Sequence, residues 1–125
     1  MKKQITAAFI VTQSIALADG LEALLKAIPE IEEVRVVRNL MDALQQVDEI
    51  RPQLILVDTT MLTNEQDPFL EKISLLSSGT QRVLLVPDIT DLKWDPRSAE
   101  AVLIEGIAPS TLARIVTDLL SKKEI

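Results

Sequence analysis

Short apolar runs alternate along the chain with stretches whose apolar residues recur every three or four positions. The first run is Ala7 to Val11, bounded by the polar Thr12-Gln13-Ser14. Leu17, Leu21, Leu24, Leu25 and Ile28 follow at helical spacing, which predicts an amphipathic helix capped by Ser14 and stopped by Pro29. Val34-Arg35-Val36-Val37 is a second run, less purely apolar, as expected of a strand toward a sheet edge. Asn39 stands where it can cap a second helix with Leu40, Ala43, Leu44, Val47 and Ile50 on its apolar side, ended by Arg51-Pro52. Leu54-Ile55-Leu56-Val57 is continuous, the pattern of a central parallel strand covered on both faces, and it ends at Asp58. A polar loop from Thr59 to Asp67 leads to a third helix with Pro68 at its first position and Phe69, Ile73, Leu75 and Leu76 as apolar residues. Ser77-Ser78-Gly79 releases the chain into Val83-Leu84-Leu85-Val86, a second central strand. From Pro87 to Ala99 the rhythm falters, because Asp88, Asp91, Asp95 and Pro96 leave no helical face. Ala101 to Ile104 reads as the last strand, and Pro109 opens a final helix bearing Leu112, Ile115, Val116, Leu119 and Leu120.

Strands and helices in this alternation predict a parallel sheet between two helical layers, with few topologies allowed by right-handed crossovers. The third and fourth runs are the most apolar after the first and belong inside, which selects the flavodoxin-like order 2-1-3-4-5. The expected fold is one three-layer α/β/α domain over residues 1–125, with a five-stranded parallel sheet and a fourth helix that is short or absent.

Composition narrows the chemistry. The chain has 125 residues, enough for a core without crosslinks, and 47% of them are hydrophobic. It has no cysteine, which excludes a disulfide scaffold, a Cys-ligated zinc site and a thiol nucleophile. Histidine is absent too, and with it the commonest general base and metal ligand. A net charge of -6 argues against a nucleic-acid-binding face. No apolar run approaches the ~20 residues of a membrane span, and Met1-Lys2-Lys3-Gln4 opens no signal peptide, so a cytoplasmic setting is expected.

In an open parallel sheet, ligands sit beyond the carboxyl ends of the strands where the order reverses. That point lies between the first and third strands. It gathers Thr12, Gln13, Asp58 and Thr59, with Pro87, Asp88, Glu105 and Gly106 from the neighbouring strand ends. Three glycines, Gly20, Gly79 and Gly106, make no phosphate loop. Asp58 by itself reads as a strand-ending aspartate that bonds its own loop.

The stretch Arg51 to Met61, Arg-Pro-Gln-Leu-Ile-Leu-Val-Asp-Thr-Thr-Met, resembles the third strand and phospho-acceptor loop of response-regulator receiver domains. Gly20 to Leu25 and Ile28 to Ile31 resemble the first helix and following turn of receivers that carry helix-turn-helix output domains. Ile107 to Leu112 is similar to the opening of their last helix. The resemblance implies phosphoryl transfer onto Asp58. It also exposes what differs. The acidic pair that helps hold Mg²⁺ is Thr12 and Gln13, the hydroxyl residue after the fourth strand is Pro87, and the lysine after the fifth is Glu105. Gly106 and Leu62 replace two prolines of the pattern, and only Asp58 and Met61 remain. Replacing lysine by glutamate turns an attraction into a repulsion of roughly 3 kcal/mol for unit charges about 6 Å apart.

These departures predict a pseudo-receiver: a non-catalytic module of two-component type that needs no cofactor, holds Mg²⁺ poorly and works through a protein partner or a second copy. Two alternatives stay open. One is a functional though atypical receiver using Asp58. The other is a flavin- or small-ligand-binding domain, with Thr12-Gln13-Ser14 toward a phosphate and Trp94 stacking on the ring. Trp94 is otherwise a partner contact or a cover for the sheet face, and Arg114, Asp118, Lys122 and Lys123 on the last helix could form a homodimer surface. No nucleophile and base converge, so no enzyme is expected.

Overall fold

All five residues of Ala7–Val11 and all five of Leu54–Asp58 are buried, and these two strands, β1 and β3, pair in parallel at the middle of the sheet. The computed structural model describes residues 6–63, 68–88 and 99–121. Around the central pair lie β2 (Glu33–Val37), β4 (Gln81–Val86) and β5 (Ala101–Ile104), all parallel, in the order β2-β1-β3-β4-β5. The helices are α1 (Ile15–Lys26), α2 (Leu40–Ile50), α3 (Phe69–Leu76) and α4 (Pro109–Ser121). The predicted topology is the observed one. β2 and β5 are the edges, which is why their side chains are mostly half-buried rather than buried.

Alternation along each strand divides the core in two. Phe9, Val11, Ile55, Val57, Leu84 and Val86 point to one face, where Ala43 and Val47 of α2 and Phe69, Leu70 and Ile73 of α3 cover them. Ala8, Ile10, Leu54, Leu56, Val83 and Leu85 point to the other, under Leu21 and Leu25 of α1 and Leu112, Val116 and Leu119 of α4. Two apolar layers therefore cover the strands, and the loops at their carboxyl ends carry the polar groups.

Both predicted caps are made: Ser14 accepts from the Leu17 amide and Asn39 from the Asp42 amide. Other details differ. α1 ends at Lys26, and the Ala27 amide closes it onto Leu24 and Leu25 carbonyls before Pro29 is reached. Pro68 precedes α3 as its cap residue instead of opening it, and Leu75 is 79% exposed, because it lies off the stripe formed by Phe69, Leu70 and Ile73. The loop after β3 begins as a 3₁₀ turn over Thr59–Met61. Among the described residues no helix is long and apolar enough to cross a membrane. The expectation of a short or absent fourth helix falls on 89–98, outside the described residues, as do Trp94, Lys122 and Lys123.

Candidate functional site

Register places the site. Val11 pairs with Val57 and Val86 with Ile104, so the residues just beyond them, Thr12, Asp58, Pro87 and Glu105, come to the carboxyl edge of the sheet. Thr12 and Asp58 are 1% and 4% exposed, and the Thr12 hydroxyl donates to Asp58 Oδ2 at 2.7 Å. The same hydroxyl oxygen accepts from the Ser14 amide at 3.1 Å. Asp58 Oδ1 accepts from the Thr60 amide at 3.0 Å and from the Thr60 hydroxyl at 2.7 Å. The carboxylate thus ends its strand and also holds its own loop, and both of its oxygens are engaged.

The other expected residues divide. Thr59 is buried but turns away, donating its hydroxyl to the Leu85 carbonyl at 3.2 Å. Gln13 is exposed and its amide reaches the Arg38 carbonyl at 3.4 Å, tying the β1–α1 loop to the end of β2 and leaving Asp58 to Thr12. Pro87 and Asp88 are exposed. Met61 and Leu62 pack into the α2/α3 side of the core. Glu105 continues the ladder, its amide donating to the Val86 carbonyl at 2.8 Å, and Gly106 then turns the chain with φ at 89°, a region glycine occupies without strain. Burial pushes the Glu105 carboxyl above its ordinary range, and the negative charge of Asp58 pushes it further the same way.

Thr60 and the Ser14 amide are partners of the site that the set of strand ends does not reveal. The Asp-x-Thr spacing was the available signal, since an aspartate commonly bonds the backbone two residues on. Chemically, the arrangement is a buried, hydrogen-bonded carboxylate beside a second, half-buried one.

No protein-family model and no curated protein matches the sequence. Solved structures do share the fold. A CheY-like response regulator receiver domain protein from Methanospirillum hungatei superposes with a TM-score of 0.80 at 17% identity, covering 97% of this chain and 98% of that one. The signal receiver domain of an HD domain-containing protein from Pseudomonas fluorescens gives 0.79 at 18% identity, over 98% and 92% of the two chains. A LuxR-family two-component response regulator from Aurantimonas sp. gives 0.77 at 14% identity, over 95% and 87%. The chain has the fold of response regulator receiver domains.

Proposed function

We propose that this chain is a receiver-like signalling module whose aspartate site no longer carries out phosphoryl transfer, and which acts by binding a protein partner or a second copy of itself. The observation that carries this reading is the state of Asp58: Thr12 and Thr60 occupy its two oxygens. Glu105, at the position where the resemblance places a lysine, adds a second negative charge instead of a counter-charge. A phosphoryl group on Asp58 would add further negative charge there, and the repulsion from Glu105 opposes the modification.

The donor chemistry does not fit Mg²⁺. That ion takes oxygen ligands in near-ideal octahedral geometry and is usually tied down by one or two carboxylates with phosphate. Among the described residues no three acidic side chains converge, Asp58 is committed to hydroxyl and amide donors, and Gln13 faces Arg38. The flavin alternative is weakened by the same bonds, because the Ser14 amide and hydroxyl are used on Thr12 and on the Leu17 amide. A partner recognised by protein surface, without nucleic acid, accords with the net charge of -6.

The test is incubation with acetyl phosphate and Mg²⁺, followed by intact-mass measurement. The expected result is an unmodified chain. A phosphoryl adduct that disappears in Asp58→Asn would establish the working-receiver alternative instead.

A further inference from the structure

α1, the end of β4 and the turn that opens α4 border a half-open pocket of about 220 Å³. Leu21, Leu24, Leu85 and Leu112 form its apolar walls, and Gly20 lies on its α1 side. Among the described residues that line it, Glu105 is the one ionisable side chain, and no described residue hydrogen-bonds its carboxylate. The space exceeds the ~150 Å³ apolar cavity that holds a benzene and falls short of the ~300 Å³ where drug-sized sites begin. It suits one ring with a short arm.

We propose that this pocket binds a small organic cation, an ammonium group on an apolar body of about one ring, with the ammonium against Glu105 and the body among the leucines. Charge complementarity selects the cation. Glu105 lines the pocket, whereas Asp58, whose charge Glu105 feels, is 4% exposed and does not line it, so Glu105 is the carboxylate that an incoming positive group meets. An ammonium placed there relieves the repulsion between the two carboxylates, whereas an anion adds to it. Lining residues without basic groups leave Glu105 no competing cation, and a charge-assisted hydrogen bond in a largely apolar pocket is the strong kind. The site is separate from the partner-binding reading and stands or falls without it.

The experiment titrates the isotope-labelled full chain with phenethylamine, with its neutral analogue phenethyl alcohol and with the anion hydrocinnamate, following backbone amide shifts. Phenethylamine should move the amides of Gly20, Leu85, Gly106 and Ile107 and bind about tenfold or more tightly than the alcohol. Hydrocinnamate should bind more weakly than either. Glu105→Gln, at a half-buried position, should reduce the amine to the level of the alcohol. Gly20→Leu should weaken both ligands; a Cβ there meets no atom within 4 Å, and leucine suits a helix better than glycine. Absence of binding, equal binding of amine and anion, shifts centred elsewhere, or undiminished amine affinity in Glu105→Gln would each overturn the proposal.

Discussion

The Thr12 hydroxyl gives its proton to Asp58 Oδ2 at 2.7 Å while its oxygen takes the Ser14 amide at 3.1 Å. One side chain thereby joins the end of β3 to the residue that caps α1. Thr12→Val keeps the shape and removes both bonds, leaving a buried carboxylate oxygen short of a donor. The expected cost is about 1–3 kcal/mol. It should be visible as a lower urea midpoint with an unchanged slope, and Thr12→Ser should recover most of it.

Phosphoryl acceptance should be recoverable by restoring charge. The combined variant Thr12→Asp, Gln13→Asp, Pro87→Thr and Glu105→Lys supplies an acidic pair, a hydroxyl and a cation around Asp58. Acetyl phosphate with Mg²⁺ should then produce an adduct in intact-mass spectra, absent when Asp58→Asn is added. A folded combined variant that stays unmodified would show that the deficit lies elsewhere than in these four positions.

Glu105 makes stability depend on pH in the unusual direction for a carboxylate. Its folded-state value is raised above the ordinary 4.5 by burial and by Asp58, so the folded chain holds this proton more tightly than the unfolded one. The resulting penalty is full above the raised value and disappears as pH falls through 4.5. Glu105→Gln should therefore stabilise the protein at neutral pH and leave it unchanged in acid, as thermal melts across that range will show.

Glu100 behaves in the opposite sense. Burial alone raises its carboxyl, but the hydrogen bonds and charge of Arg82 outweigh that and hold it below 4.5. Arg82 meets it at 3.0 Å and also donates to the Leu70 carbonyl at 3.2 Å, linking β4, the approach to β5 and α3. The stabilisation is present above 4.5 and is lost as pH falls through the depressed value. Because the pair is partly solvated, Glu100→Gln should cost only about 0.5–1 kcal/mol at neutral pH. Its urea midpoint should converge with that of the parent in acid.

Arg51 ends α2 with φ at 55°, its amide closing onto the Val47 carbonyl. A side chain in this left-handed region carries a penalty that glycine avoids. Arg51→Gly should raise the free energy of unfolding by about 1 kcal/mol. An unchanged urea midpoint would show that the arginine stem regains as much by packing.

The sheet was legible because its information is periodic and local. The uninterrupted Leu54 to Val57 run could belong only to a strand covered on both faces, and the arginine within β2 marked an edge. Ser14 and Asn39 announced their helices by side-chain chemistry that acts within three residues. Leu75 misled for the complementary reason: an apolar residue in a short helix says nothing of which way the helix is rolled, and packing of Phe69 and Ile73 decided it. The site was legible only as a set of strand ends. Thr12 and Asp58 meet because of register between distant segments, and Gln13 departs because the Arg38 carbonyl competes for it, a choice that exists only once β2 lies beside β1.

The open flank of Gly20 makes the protein simple to instrument. The chain contains no cysteine, so Gly20→Cys would introduce a lone thiol on the outer wall of α1 beside the Glu105 pocket. A fluorophore attached there would itself fill the mouth of that recess, so it would report the approach of another molecule to the α1–α4 side, with no background labelling to subtract.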